Sequence, residues 1–180
     1  MINTKLQVLF IATLALTVVG CSYQSSNANA EENPKESEPL NTLHQSKKTW
    51  KALKKANNGE YTYSRSFQSW TGFKYTTRFT VKDDIVNKRE YDFSSDPSTG
   101  STWVEEGADV GTHQEGHDVL LIEQLYEHCA KEVLTKDRAS HSIFFELDSN
   151  GLLKRCIDVP KNCADDCSFG VEIENITFGN

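Results

Sequence analysis

A cluster of cysteines near the C-terminus restricts the folds open to this chain more than any other part of its sequence. The segment from Cys156 to Cys167, CIDVPKNCADDC, contains three cysteines and three aspartates. Such a composition suits a metal site, a redox centre or a loop closed by disulfide bonds. The choice among them depends on whether the chain folds in a reducing or an oxidising compartment. The N-terminal sequence indicates which compartment this is.

The N-terminus has the three parts of a secretory signal. Lys5 supplies positive charge, an apolar run extends from Leu6 to Val19, and the small residue Gly20 precedes Cys21. The apolar run is about 14 residues long, fewer than the roughly 20 that a helix needs to span the hydrocarbon of a bilayer. We therefore expect residues 1–20 to be removed as a signal peptide.

The residues before the expected cleavage point resemble the bacterial lipobox, in which an apolar, a variable and a small residue precede a cysteine. Val18, Val19 and Gly20 fill these positions, and the resemblance implies that Cys21 becomes the acylated first residue of the mature protein. Ser22 stands where an inner-membrane retention signal would carry Asp. By resemblance to other bacterial lipoproteins, this implies an outer-membrane lipoprotein facing the periplasm, with acyl chains as its membrane anchor.

In the oxidising periplasm, the four cysteines other than Cys21 are expected to form two disulfide bonds. Zinc knuckles prefer Cys-x-x-Cys pairs, and a redox centre would place such a pair beside a βαβ pattern; the sequence has neither. Four cysteines allow three pairings, and the sequence alone does not choose among them. Because Cys129 lies on the apolar face of a predicted helix, we favour Cys129–Cys156, with Cys163–Cys167 closing the smaller loop.

The mature chain is predicted to consist of a tether and one domain. Residues 21–40 are rich in Ser, Asn, Ala, Glu and Pro and cannot bury enough apolar surface to offset the entropy of ordering. Residues 41–180 have the length of a single globular domain. The formal net charge of the chain is −7 at pH 7. A nucleic acid is therefore an unsuitable partner, because it is a polyanion.

The apolar pattern of residues 41–180 predicts an α+β fold with an antiparallel sheet and two helices, stapled by disulfides. One helix covers Leu43–Asn57, and a second is N-capped by Asp118 and ends near Leu134. Three strands follow each helix: Tyr61–Phe67, Phe73–Val81, Ile85–Phe93, Ile143–Leu147, Leu152–Asp158 and Val171–Glu174. The segment between the third strand and the second helix is mostly loop, with a short strand at Trp103-Val104.

Several short motifs in this domain together carry a resemblance to a known family. They are Trp50, the pair Tyr61-x-Tyr63, the strand-turn-strand around Val81 to Val86, the helix at Leu121–Leu125, the turn Asp148-Ser149-Asn150-Gly151 and the acidic pair Asp165-Asp166. With them the chain resembles, over most of Leu43–Thr177, a family of bacterial envelope proteins catalogued only as domain of unknown function 6174. Asp83-Asp84 departs from the Asn-Gly expected there, and the cysteines are an addition. The family has no established activity, so the resemblance implies a fold rather than a function.

The segment His113-Gln114-Glu115-Gly116-His117 is the candidate metal site. Two histidines four positions apart with an acidic neighbour are components of zinc hydrolases, but the zincin order H-E-x-x-H lies on a helix. Here Gly111 and Gly116 interrupt any helix. The sequence also lacks a nucleophile elbow and a phosphate-binding glycine loop. We therefore expect no catalytic residue, metal or other cofactor, and keep a metal-dependent hydrolase using His113 and His117 as the alternative.

The first helix is strongly basic in an otherwise acidic chain. Its lysines are Lys47, Lys48, Lys51, Lys54 and Lys55. A basic helix close to a membrane anchor suits contact with anionic lipid phosphates, although a solvated face is the simpler interpretation.

The segment Ser69–Phe73, SWTGF, places Trp70 and Phe73 beside a tight turn. Alternation puts Phe73 on the buried face and Trp70 on the polar side, so Trp70 should be more exposed than Tyr63. An exposed tryptophan suits contact with a protein partner. We thus predict a non-catalytic binding module, anchored in the bacterial envelope, whose partner is another envelope protein. A protein that only packs against the membrane through its lysine helix is a further alternative.

Overall fold

Two α-helices and eight strands form the part of the chain that the structure, a computed structural model, describes: residues 34–93, 101–165 and 167–179. The helices are α1 (Pro34–Ala56) and α2 (Ile122–His128), and the strands are β1 (Tyr61–Gln68), β2 (Lys74–Lys82), β3 (Ile85–Asp92), β4 (Thr102–Glu106), β5 (His141–Leu147), β6 (Leu153–Pro160), β7 (Phe169–Glu172) and β8 (Glu174–Phe178). Their order confirms the predicted α+β class. The predicted signal peptide, Cys21 and the tether up to residue 33 lie outside the described residues.

The strands form two antiparallel sheets where the sequence predicted one. The five-stranded sheet has the order β4-β3-β2-β1-β8, and the three-stranded sheet has the order β5-β6-β7. The last predicted strand, Val171–Glu174, is divided between them, because β7 pairs with β6 whereas β8 pairs with β1. At the junction Ile173 donates its N–H to the carbonyl oxygen of Lys154 at 2.8 Å. The C-terminal strand thus completes the first sheet beside its first strand.

Strand β4 occupies the place where the sequence suggested a short strand at Trp103-Val104. It pairs with β3 in a register that sets Trp103 opposite Tyr91 and Glu105 opposite Arg89. The buried Arg89 and Glu105 thereby become direct neighbours across the ladder. This pairing builds one wall of the polar region described below.

Helix α1 begins earlier than predicted, so Pro34–Leu40, part of the predicted tether, are helical. The first of the two prolines in this segment begins the helix, where the N–H groups have no intrahelical acceptor, and the second lies inside the helix. The buried side chains Leu43, Ser46 and Trp50 recur at helical spacing and form the face that packs on the core. Ser46 Oγ lies 2.7 Å from Tyr126 Oη, which joins α1 to α2.

Helix α2 begins later than predicted, and the prediction of Asp118 as its N-cap is wrong. Leu121 precedes the helix in an extended conformation, and its N–H donates to Oε1 of Gln124 at 2.7 Å. Asp118 lies exposed in the preceding loop. The helix continues as a π-helical segment, Cys129–Val133, to the predicted end near Leu134. Neither helix in the described part of the chain is long and apolar enough to cross a membrane.

The core is built largely from aromatic rings. Trp50 of α1 meets the ring of Tyr61 edge-on, with centroids 4.7 Å apart. Tyr63 of β1 stacks on Phe79 of β2 at 4.8 Å. All four are almost fully buried. Such pairs stabilise a core beyond the area they bury.

Disulfide bonds join Cys129 to Cys156 and Cys163 to Cys167, the pairing that the sequence favoured. Cys129 and Cys156 are fully buried, with Cα atoms 5.6 Å apart, and connect the end of the second helix with β6. Their bond spans 27 positions of the chain, for which loop entropy gives a stabilisation of roughly 3–4 kcal/mol. The cysteine-rich segment is therefore a stapled loop.

Candidate functional site

The turn between β1 and β2 carries the predicted contact residue Trp70. Ser69 donates its N–H to the carbonyl oxygen of Phe73 at 2.8 Å, and Gly72 adopts a φ of 88° that few other residues would tolerate. Trp70 is 76% exposed, whereas Tyr63 is 0% exposed. The predicted order of exposure is confirmed, and Trp70 lies in the turn, two residues beyond the end of β1.

The prediction that Phe73 belongs to the buried face is wrong, since this side chain is 41% exposed. Its ring lies 4.7 Å from that of Phe93 and 6.2 Å from that of Phe67. The buried part of β2 begins only at Thr77, so Phe73 lies beyond the region that the core covers. Trp70 and Phe73, which we call the hairpin tip, therefore both present aromatic surface to solvent.

Two buried arginines interrupt the apolar inner face of the five-stranded sheet. Arg65 and Arg89 are 8% and 3% exposed, respectively. Arg65 lies opposite Thr77 on β2, and Arg89 lies opposite Glu105 on β4. A buried charge persists in a folded protein only where it is paired or hydrogen-bonded. The hydrogen-bond and ion-pair partners of each arginine therefore show whether its charge is balanced within the fold.

Arg89 is enclosed by acceptors from its own chain. Its Nη1 donates to Glu105 Oε2 at 3.3 Å and to the carbonyl oxygen of His113 at 3.2 Å, and its Nη2 donates to the carbonyl oxygen of Glu115. The guanidinium also lies 4.7 Å from the ring centroid of Trp103. Although its Nε has no partner, the charge of Arg89 is balanced by a carboxylate, two carbonyl groups and an aromatic ring.

Glu105 organises the loop that contains the candidate metal-binding histidines. It accepts the backbone N–H groups of Gly111 at 2.7 Å and of His113 at 2.6 Å, and its Oε1 lies 2.9 Å from Nδ1 of His113. Burial opposes ionisation of this carboxyl. The hydrogen bonds from Gly111 and His113, together with the charge of Arg89, nevertheless lower the pKa of Glu105 to about 2. The loop is thus wrapped around a permanently charged anchor.

The structure gives His113 and His117 different partners. The His113 ring bonds to Glu105 and stacks on Trp103 at 4.3 Å, whereas the His117 ring lies 5.3 Å from Tyr75. Among the described residues, no group of three or more His, Cys, Asp or Glu side chains is arranged to hold a metal ion. The geometry therefore gives a metal-dependent hydrolase no specific support.

Arg65 faces a cavity of about 130 Å³ between the two sheets. Its lining includes Phe67 of β1, His117 of the loop before α2, Ile157 of β6 and Gly170 of β7. The Arg65 Nη2 donates to the Gly170 carbonyl oxygen at 3.5 Å, the outer limit of a hydrogen bond, and Nε has no partner. We call this space the Arg65 cavity.

His117 is the second polar group of the Arg65 cavity. Its Nε2 is buried without a hydrogen-bond partner, and its backbone N–H donates to Thr77 Oγ1 at 3.0 Å. Burial, followed by the charge of Arg65, lowers the pKa of His117 to about 4, although the nearby Ser66 backbone acts in the opposite direction. The imidazole is therefore neutral at pH 7, and the positive charge of the cavity comes from Arg65.

The lysines of α1 have more than one environment. Lys54 is bound by Asp84 and by Glu123, whose Oε1 lies 2.6 Å from Nζ. Lys47 lies 3.7 Å from a carboxylate oxygen of Glu127. The remaining three, Lys48, Lys51 and Lys55, are exposed. The basic face available to an anionic surface is therefore smaller than the lysine count suggests.

The outer face of the five-stranded sheet forms an open trough of about 780 Å³. Hydroxyl and charged side chains line it, among them Ser66, Thr76, Arg78, Glu90 and Glu174. Ser66 Oγ bonds to both Thr76 and Glu174 at 3.0 Å. Charges of both signs with local partners are typical of the solvated face of an antiparallel sheet.

The prediction of site residues from the sequence missed Arg65, which shares the parity of the buried Tyr61 and Tyr63 on β1. A charged residue at a core-facing position was the available signal. The same strand ends in the hairpin tip, so Phe67 and Gln68 connect the Arg65 cavity with Trp70 along the chain. No family model, curated protein or solved structure matches this chain, and its resemblance to the envelope family stays a prediction.

Proposed function

We propose that this protein is a lipid-anchored lipoprotein of the bacterial outer membrane that faces the periplasm and acts as a non-catalytic binding module. Acylated Cys21 is its anchor, and another envelope protein is its partner. The hairpin tip is the contact surface. The observation that carries the proposal is the 76% exposure of Trp70.

The exposed Trp70 suits a contact residue for energetic reasons. An indole ring offers a large rigid surface with few rotatable bonds, so little conformational entropy is lost when a partner covers it. Phe73 extends this surface at the same turn and is held by the ring of Phe93. Truncating an anchor of this kind typically costs about 2 kcal/mol or more of binding free energy.

The anchor is tested by changing Cys21→Ser in the full-length chain. The variant should accumulate as an uncleaved, unlipidated precursor, because the lipobox cysteine is both the acylation and the cleavage position. Metabolic labelling with a fatty acid and phase partition in detergent measure the two effects. A variant that matures and partitions like the wild type would refute the lipobox interpretation.

The contact surface is tested by cross-linking in intact cells. A photoreactive amino acid at Thr71, beside Trp70, should yield a discrete cross-linked product, and Trp70→Ala should greatly reduce it. Ile85→Ala is the matched control, because Ile85 is 65% exposed and follows the opposite end of β2. It should leave the product unchanged.

The thermal midpoint of the purified variants separates binding from folding. Because Trp70 lies outside the core, Trp70→Ala should leave the thermal midpoint nearly unchanged. A loss of about 3–5 kcal/mol of stability, on the scale of core aromatic truncations, would show that the ring is a structural element. An equal reduction of the product by Ile85→Ala would remove the hairpin tip as the contact surface.

A further inference from the structure

The Arg65 cavity contains a buried cation that none of the described carboxylates pairs. Among the described residues, no carboxylate oxygen lies within 4.0 Å of the Arg65 guanidinium. Its one hydrogen bond there, to the Gly170 carbonyl oxygen, is 3.5 Å long. Since Arg65 is 8% exposed, water outside the cavity reaches little of its surface. The missing counter-charge indicates an anionic ligand.

The described acidic residues that act electrostatically on Arg65 do not fill this role. Asp118 and Glu172 act on Arg65 only through longer-range electrostatics. Glu172 lines the cavity, but its Oε1 accepts a hydrogen bond from Nε of Arg155. No described carboxylate neutralises Arg65 by direct contact, so the cavity offers a single positive charge to a ligand, and this charge matches a monoanion better than a dianion.

The remaining walls indicate the chemical class of that monoanion. Guanidinium Nε–H and Nη–H groups form a planar fork that matches the two oxygens of a carboxylate. Beside them His117 presents its unpaired Nε2, while Phe67 and Ile157 supply apolar surface. A volume of about 130 Å³ admits only a small group. These features together fit a carboxylate that carries a short apolar substituent.

The part of the cavity wall that β7 supplies packs closely on β6. Gly170 has a φ of 132°, and a Cβ built on it would lie 2.2 Å from the carbonyl oxygen of Cys156. A glycine is therefore required for β7 to approach β6 at this point. Because Cys156 is bonded to Cys129, the disulfide fixes the same wall to the second helix. The cavity is thus preformed, which favours binding of a small group.

We propose that the Arg65 cavity is a binding site for a carboxylate group, with Arg65 as its counter-ion and His117 Nε2 as its polar neighbour. The cavity shares no lining residue with the hairpin tip, although Phe67 contacts Phe73 there. The carboxylate belongs either to a free small acid or to the C-terminus of a peptide, since both present the same group.

The site is tested on protein expressed from the full-length sequence and purified in detergent, with carbon-13-labelled propionate as the probe. Titration followed by NMR should show saturable binding. Arg65→Gln should weaken it by about tenfold to a hundredfold, the equivalent of a charge-assisted hydrogen bond, and Arg65→Lys should also weaken it because the planar fork is lost. The matched control is Arg78→Gln, an exposed arginine on the outer face of β2, which should bind like the wild type.

A second variant keeps the test decisive if Arg65→Gln does not fold. His117→Phe preserves a ring but removes Nε2, and it should weaken propionate binding by about twofold to tenfold. Circular dichroism confirms the fold of each variant before titration. Saturable binding that Arg65→Gln and His117→Phe leave unchanged would overturn the proposal, as would the absence of saturable binding to the wild type.

Three further probes identify the source and the class of the ligand. A short peptide with a free terminal carboxylate is compared with its carboxamide. Tighter binding of the free peptide than of propionate assigns the site to chain termini, and the reverse order assigns it to free small acids. Saturable binding of the carboxamide that is as tight as that of the free peptide would rule out a carboxylate site. Tighter Arg65-dependent binding of inorganic phosphate than of propionate would also rule it out. None of these readouts involves the cross-linked partner, so the two proposals fail independently.

Discussion

Arg65 and Arg89 lie on the same face of the same sheet and are almost equally buried. Arg89 is surrounded by acceptors that its own chain supplies, including the carboxylate of Glu105. Arg65 has a long hydrogen bond to one carbonyl oxygen and otherwise faces a cavity. The comparison shows that burial alone does not tell a structural charge from a binding charge. The two kinds of charge differ in whether the chain itself supplies the counter-charge.

The two environments differ in what removal of the charge should do. Removing one partner of a buried ion pair leaves the other charge unpaired and costs about 3–5 kcal/mol. Removing a buried charge that lacks a charged partner leaves no buried carboxylate unpaired and relieves its desolvation. Substituting each arginine with methionine, which has a similar unbranched shape, therefore measures the difference directly.

The largest effect is expected for Arg89→Met. Glu105 would remain buried without its cationic partner, and the carbonyl groups of His113 and Glu115 would lose their donors. We expect the free energy of unfolding to fall by about 3–5 kcal/mol at pH 7, measured by urea denaturation. Arg78→Met, at an exposed position of β2, is the control and should change stability by less than about 0.5 kcal/mol.

A loss below about 1 kcal/mol for Arg89→Met would contradict the structural role of Arg89, because it would show that Glu105 does not depend on Arg89. The double substitution Arg89→Met and Glu105→Met identifies the cause of the loss. Replacing both partners with apolar groups should recover part of the lost stability. Recovery would assign the loss to the unpaired carboxylate rather than to altered packing.

A smaller effect is expected from the titration of His117. Its pKa in the folded protein is about 4, below its ordinary value of 6.5. Between these pH values the unfolded chain binds a proton that the folded protein does not, so stability falls as the pH falls from 6.5 to 4. Between pH 7 and pH 5 this loss is on the order of 1–2 kcal/mol.

His117→Phe removes the titrating group and should therefore flatten this part of the stability profile, measured by urea denaturation at pH 7 and pH 5. His44→Phe, at an exposed position of α1, is the control and should retain the wild-type profile. If His117→Phe leaves the profile unchanged, the pKa of His117 in the folded protein is not lowered, and burial in the Arg65 cavity does not keep this imidazole neutral.

The smallest effect is expected for Arg65→Met without ligand. Since no described carboxylate pairs with Arg65, its removal should change the free energy of unfolding by about 1 kcal/mol or less, in either direction. The same substitution should raise the pKa of His117, because the charge of Arg65 helps to lower it. A loss as large as that of Arg89→Met would mean that Arg65 has a structural partner, and the two arginines would then be equivalent.

The fold was predictable where the signal is local. Alternation of Tyr61, Tyr63 and Phe67 indicated β1, and the apolar spacing around Cys129 placed that cysteine on the face where it meets Cys156. The division of Val171–Glu174 between two sheets was not predictable in this way. Alternating residues show that a segment is extended, but they do not show which strand it pairs with.

The candidate site was less accessible to prediction than the fold, because its geometry depends on distant partners. The turn that exposes Trp70 is local, and its exposure was predicted correctly. The role of His113 depends on Glu105, which β4 brings to the loop only after pairing with β3. Arg65 carried a local signal in its parity on β1, but the cavity opposite it is formed by β6 and β7.

The pairing of β8 with β1 also bears on the order in which the molecule can assemble. Tyr61 lies opposite Phe178, and the hydroxyl groups of Thr62 and Thr177 are 2.6 Å apart. Contacts so distant in sequence form late and slow the folding of a domain. Until β8 arrives, the N–H and C=O groups along one side of β1 remain a template for foreign strands. Ribosomes synthesise β8 after β1, so nascent chains that have not yet reached residue 174 and chains truncated before it share the same aggregation-prone edge.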